Sequence, residues 1–216
     1  MIVHLLRHAE SSAPAGVAGG WTDWSLSAQG AAAARAAALA WPLPAPARIV
    51  TSDLVRAVAT AAPLAERHGL ACITDPRLRE THLGDWEGLA WATIERDQPE
   101  RLARWYRDWR SEGPPGGESF ADVVARVGSF LDTLDRHPQT LVVAHAGSIR
   151  AMLVASGAHD ITAAMDLPLP PLGGYALTLR SGAAAVCRAL PLPGSAAAAG
   201  PGSAAHAEPR IAAVPR

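Results

Sequence analysis

The chain has 216 residues and a mass of 22.4 kDa, with 49% hydrophobic and 18% charged side chains, which suits one well-buried core and excludes a disordered protein. Nineteen basic residues stand against twenty acidic ones, a formal charge of −1 and a pI near 6.7, so no positive field is available to hold a nucleic acid. All nineteen are Arg, and without Lys there is neither Schiff-base chemistry nor a phosphate loop of the G-x-x-x-x-G-K-[ST] kind. Arg, His and backbone N–H groups remain to grip an anion.

Residues 2 to 6, Ile-Val-His-Leu-Leu, predict a buried strand ending at Arg7-His8 and a loop rich in Ser, Pro and Gly. The opening MIVHLLRHAE is too short and too polar for a signal peptide or a membrane span, and a cytoplasmic location is expected. Ser27 opens an Ala-dominated helix to about Ala40, stopped by Pro42, Pro44 and Pro46. Arg48 to Ser52 reads as a second strand, followed by a helix from Leu54 to His68 with Gly69 as its stop. From Ile94 to Arg110 the residues Leu102, Trp105, Tyr106 and Trp109 recur as one helical face, with Arg101, Arg104, Arg107 and Arg110 as a solvated face alongside. After Pro114-Pro115-Gly116-Gly117, the apolar residues Phe120, Val123, Val124, Val127, Phe130, Leu131 and Leu134 predict a helix packed on the sheet.

Thr140 to Ala144 is an apolar strand that ends at His145 and a small-residue loop, repeating the layout of Ile2 to His8. Strands over Tyr175 to Arg180 and Ala184 to Leu190 finish a domain spanning 1–190, and the Ala, Gly, Pro and Ser of 191–216 read as a mobile tail. The alternation predicts an α/β fold with a mostly parallel central sheet. Cys72 and Cys187 lie far apart and are expected to be core thiols. Eight histidines include no H-x-x-x-H on a helix, no H-x-H pair and no Cys at ligand spacing, so neither metal nor cofactor is expected.

In an open parallel sheet the ligand crevice lies beyond the carboxyl ends of the strands, where Arg7, His8 and His145 fall. Arg56 lies in the first turn of its helix, where a cation opposes the macrodipole by about 0.3–1 kcal/mol unless an anion sits between them. The alternatives are an Arg56 paired with Asp53 or turned to solvent.

Four segments in order, Leu-Leu-Arg7-His8-Ala-Glu-Ser, Thr-Ser-Asp-Leu-Val-Arg56-Ala-Val-Ala-Thr-Ala, Leu-Arg-Glu80-Thr-His-Leu-Gly-Asp-Trp-Glu-Gly and Val-Val-Ala-His145-Ala-Gly, resemble the motifs of the histidine phosphatase superfamily, also called phosphoglycerate mutase-like. The resemblance runs from residue 1 to about 180 and implies a three-layer α/β/α fold. It implies His8 as the nucleophile forming a phosphohistidine, with Arg7, Arg56, His145 and the backbone N–H of Ala146 holding the phosphoryl oxygens. Glu80 would protonate the leaving oxygen and then activate water, with Asp85 and Glu87 close enough in sequence to compete for that role. Gly19, Gly20 and Ser11 complete the expected substrate contacts. Ala9 and Ala146 stand where the family usually has Gly, and the chain has no Asn to serve after the first motif, so Ser11 or Ser12 is expected to replace it.

Cofactor-dependent mutases carry a long insertion after the Trp-Arg-rich helix, whereas here Trp109-Arg110 is followed almost directly by Pro-Pro-Gly-Gly-Glu-Ser119. An uncovered pocket admits water and favours hydrolysis. The blocks Leu-Gly-Asp-Trp-Glu-Gly, Trp-Tyr-Arg-Asp-Trp and Gly-Gly-Glu-Ser-Phe are most similar to α-ribazole phosphatases of cobalamin biosynthesis. The expected function is a phosphomonoesterase of that type, the alternatives being a phosphatase of another small ester, a mutase or a non-catalytic binding protein. Its expected partner is a small phosphorylated metabolite, without nucleic acid or membrane, and a homodimer is an open option.

Overall fold

The computed structural model describes residues 1–134, 139–180 and 183–190, so the expected tail over 191–216 lies outside the described residues. Six strands, β1 (Ile2–Arg7), β2 (Arg48–Thr51), β3 (Cys72–Thr74), β4 (Thr140–Ala144), β5 (Gly174–Arg180) and β6 (Ala183–Ala189), form one sheet in the order β3-β2-β4-β1-β5-β6. The first four are parallel, and β5 and β6 add an antiparallel margin beside β1.

Alternation along the central strands sends their side chains to two faces. On one face Val3, Leu5, Val142 and Ala144 pack against α5 (Phe120–Asp132) and α6 (Ala146–Ala155) through Val123, Val127, Phe130, Ile149 and Met152. On the other, Leu6, Ile49, Leu141 and Val143 meet α1 (Ala28–Leu39) and α2 (Val55–His68) through Ala38, Ala57, Ala61 and Leu64. The architecture is therefore the three-layer α/β/α arrangement that the family resemblance implies. The termini are set as expected: the Ser27 hydroxyl accepts from the Gly30 N–H at 2.9 Å, and Gly69 closes α2 at φ +63°.

Several elements differ from the sequence reading. The helical face over Ile94 to Arg110 is two helices, α3 (Trp91–Asp97) and α4 (Pro99–Asp108), because Pro99 lacks an N–H and biases Gln98 away from helical backbone. The four arginines of that stretch are exposed, as expected. The small-residue stretch after His145 is α6, not a loop. Neither the three-residue edge strand β3 nor α7 (Ile161–Asp166) is signalled by periodicity. Cys72 and Cys187 are free and half-buried rather than fully in the core. A separate cluster of Ala18, Leu83, Trp86, Ile94 and Leu102 anchors α3, α4 and the loops around them.

Candidate active site

Strands β1 and β4 are parallel neighbours with Arg7 opposite Ala144, so the next residue of each, His8 and His145, leaves adjacent carboxyl ends of the sheet. Both rings are buried, at 7% and 0% exposure, with centroids 5.0 Å apart. Nδ1 of His8 lies 2.6 Å from the Ala9 carbonyl oxygen. A carbonyl can only accept, so Nδ1 carries the proton and the lone pair sits on Nε2. Burial, reinforced by the charges of Arg7 and Arg56, pulls the His8 pKa down to about 3 against the opposing pull of the Ala9 carbonyl. The ring is neutral at neutral pH, the form a nucleophile requires. Burial first, then His8, Arg56 and Arg7, hold His145 well below the usual histidine range. Neither of its ring nitrogens has a hydrogen-bond partner among the described residues, which marks a place for a polar ligand.

Arg7 donates from Nη1 to the Leu169 carbonyl at 2.6 Å. Arg56, the second residue of α2 and 5% exposed, donates from Nη1 to the Thr22 carbonyl at 2.9 Å and from Nη2 to the Gly20 carbonyl at 2.7 Å. Burial lowers its pKa while Glu80, Asp23 and Glu87 oppose the shift. Asp53 is not its partner, because that carboxylate takes two hydrogen bonds from Arg79, at 2.7 and 2.6 Å. Part of the negative charge expected at the start of α2 comes from Asp23, which accepts the Val55 N–H at 2.7 Å.

The Glu80 carboxylate sits at the start of α6, accepting the Gly147 N–H at 3.1 Å through Oε2 and the Thr81 N–H at 2.9 Å through Oε1. Ala146 opens α6, so its N–H lies in a first turn that offers no intrahelical acceptor. The rivals of Glu80 are placed otherwise. Asp85 is exposed, and Glu87 accepts four hydrogen bonds from Trp21, Thr22 and Leu83. Gly19 accepts the Thr22 N–H, and Gly20 holds Arg56. Ser11 pairs through its backbone with Leu26, and among the described residues its hydroxyl makes no hydrogen bond. The Ser12 hydroxyl is engaged by the Ser25 carbonyl at 3.2 Å.

Sequence reasoning missed Gly147, whose missing Cβ admits the Glu80 carboxylate, and Thr60, whose buried hydroxyl accepts the Ala9 N–H at 3.0 Å and donates to the Arg56 carbonyl at 2.7 Å. It also missed the grip on Glu80 itself. The Glu80 carbonyl accepts from Nε1 of Trp21 and, at 2.8 Å, from Arg126, whose guanidinium is paired with Glu118.

A family model for the histidine phosphatase superfamily (branch 1) matches residues 3–189. The chain belongs to that superfamily. It is a phosphatase by class, like its mycobacterial relatives. It is 38% identical over 185 residues to a glucosyl-3-phosphoglycerate phosphatase of Mycobacterium tuberculosis, covering 79% of each chain. The solved mycobacterial glucosyl-3-phosphoglycerate phosphatase in complex with VO3 matches with a TM-score of 0.74 and 35% identity, over 88% of this chain and 96% of that one. The α-ribazole phosphatase of Shigella flexneri matches with a TM-score of 0.80 but 24% identity, over 88% and 96%, a likeness of fold. Among the described residues no group of three or more His, Cys, Asp or Glu is placed to hold a metal ion, and no helix is long and apolar enough to cross a membrane.

Proposed function

We propose that the protein hydrolyses a small phosphate monoester through a phosphohistidine at His8. The observation that carries this reading is a buried, neutral His8 whose Nδ1 proton is held by Ala9, which leaves Nε2 free to attack. Nε2 forms a bond to phosphorus as the bond to the leaving oxygen breaks, and Glu80 gives that oxygen its proton. Water then attacks the phosphoryl group, Glu80 takes its proton, and the P–N bond breaks to release phosphate and neutral His8. Arg7, Arg56, His145 and the N–H of Ala146 hold the phosphoryl oxygens through both steps, with Ser11, Gly19 and Gly20 bordering the substrate.

The favoured substrate is a phosphorylated glycerate bearing a sugar, on the strength of the identity shared with the mycobacterial phosphatases over most of both chains. α-Ribazole 5′-phosphate is the second reading, favoured by the Leu-Gly-Asp-Trp-Glu-Gly and Gly-Gly-Glu-Ser-Phe blocks. Rapid quenching with labelled substrate is expected to trap an acid-labile, base-stable phosphoryl group on the native protein and none on His8→Ala. Equal trapping on His8→Ala would overturn the assignment. Comparing kcat/KM for glucosyl-3-phosphoglycerate, α-ribazole 5′-phosphate and 3-phosphoglycerate ranks the substrates, and release of inorganic phosphate rather than an isomerised ester separates hydrolysis from mutase action.

A further inference from the structure

Glu87 lies on the same short segment as Glu80 but has a different environment. Its Oε1 accepts the backbone N–H groups of Trp21 at 2.7 Å and Leu83 at 2.9 Å, and its Oε2 accepts the N–H and hydroxyl of Thr22 at 2.7 and 2.8 Å. Four donors occupy the acceptor capacity of a carboxylate, so no lone pair is left for a substrate proton. Three of them belong to Trp21 and Thr22, the residues that carry and follow the carbonyls gripping Arg56. Gly20 and Thr22 present those two carbonyls, so Glu87 holds the loop that holds the guanidinium. Gly20 is fixed by the same contact. It adopts φ +45°, and a Cβ there would stand 2.1 Å from Oε1 of Glu87. The loop also sends Nε1 of Trp21 to the Glu80 carbonyl.

We infer that Glu87 is a positioning residue: by fixing the Gly20–Thr22 loop it aims the Arg56 guanidinium at the phosphoryl site. The inference rests on the proposed role of Arg56 in gripping phosphate. A guanidinium carries five N–H donors in a rigid fork. Carbonyls on both terminal nitrogens set its direction before any anion arrives, which is how a neutral loop can preorganise a cation. Loss of the carboxylate releases the loop and lets the fork swing.

The test is a cycle of Glu87→Gln, Arg56→Ala and the double variant, read by the inhibition constant of inorganic phosphate and by kcat/KM on p-nitrophenyl phosphate and an alkyl phosphate. Glu87→Gln keeps the shape but turns an NH2 group toward donors. A misplacement of about 1 Å costs about 100-fold, so kcat/KM is expected to fall by that order on both substrates alike while the phosphate constant rises. In the Arg56→Ala background Glu87→Gln is expected to change the phosphate constant by less than about twofold, because the group it positions is gone. A full, additive effect there would overturn the inference, as would a deficit confined to the alkyl phosphate, which would make Glu87 an acid. Arg56→Ala with an unaltered phosphate constant would overturn the reading of Arg56 along with it. If Glu87→Gln does not fold by its melting profile, Thr22→Val serves instead, removing one donor to Glu87, with an expected rise of roughly 2- to 10-fold and the same loss of effect without Arg56.

Discussion

Gly147→Ala separates the chemistry of the site from its stability. Gly147 is the second residue of α6 and has no positive φ, so its backbone accepts an alanine, and the substitution in a helix gains up to about 1 kcal/mol of intrinsic propensity. The added Cβ would stand 2.2 Å from Oε1 of Glu80, 3.2 Å from its Cδ and 3.0 Å from Oγ1 of Thr81. Ordinary contact requires the carboxylate to retreat by more than about 1 Å, which is easy for the end of a flexible side chain and costs the fold little. The same displacement is expensive for a proton transfer that depends on hydrogen-bond reach, about 100-fold in turnover. The expected result is therefore an unchanged or slightly raised melting temperature with a large loss of kcat on an alkyl phosphate. On p-nitrophenyl phosphate, whose phenolate leaves without a proton, the loss is expected to be much smaller. Full activity on the alkyl phosphate in a well-folded Gly147→Ala would refute Glu80 as the proton donor at this position.

Glu80→Gln is expected to lower kcat by roughly 10²–10⁴ on poor leaving groups while phosphate binding survives, and Asp85→Asn to leave the leaving-group dependence intact, measured on the same pair of substrates. His8 and His145 both have folded pKa values below their unfolded ones, so their contribution is complete above about pH 6.5 and is lost as the pH falls through that value toward the folded one. Unfolding free energy from denaturant titration is expected to drop by about 2 kcal/mol for His8 between pH 7 and pH 5, with His145 acting in the same direction and a shallower slope in His8→Gln. Arg126→Ala removes the partner of Glu118 and a donor to the Glu80 carbonyl, an expected loss of about 2–3 kcal/mol in the same titration, and little change would mean that the pair is spectator. EDTA is expected to leave turnover unaltered, a divalent-ion requirement being the contrary result.

The pairing of His8 with His145 was legible because topology does the geometry. Two apolar runs that each end in His, in a fold whose strands are parallel, must deliver both rings to one end of the sheet, and the sheet order then makes them neighbours. Arg56 was legible for a related reason, the cost of a cation in the first turn of a helix. What stayed hidden depends on contacts between distant segments. The resemblance, and not spacing, names Glu80 as the acid, and what spacing could not show is which carboxylate reaches Gly147 and which is enclosed by Trp21, Thr22 and Leu83. Helix α6 was concealed by Ala146-Gly147-Ser148, which reads as a turn, and by a His at the N-cap, where Ser, Thr, Asp or Asn is the usual signal. Its apolar residues Ile149, Met152 and Leu153 did carry helical spacing, so that signal was available. The break at Pro99 was available too, from the rule that proline seldom continues a helix.

The placement of charge around His8 links anion binding to the chemistry proposed for the site. Burial, aided by the charges of Arg7 and Arg56, depresses the His8 pKa and keeps the ring neutral in the free protein. Two guanidinium groups, a fully buried His145 with unpartnered ring nitrogens and the N-terminus of α6 face the carboxylates of Glu80, Asp23 and Glu87, whose charges act on Arg56. In the proposed reaction a dianionic phosphoryl group would meet His145 and the N-terminus of α6 and offset the repulsion between the two guanidinium groups. In the proposed mechanism the cations that would hold the phosphoryl oxygens also add to burial in keeping His8 neutral, so a change that weakens the grip of Arg56 also removes part of what holds His8 in that form.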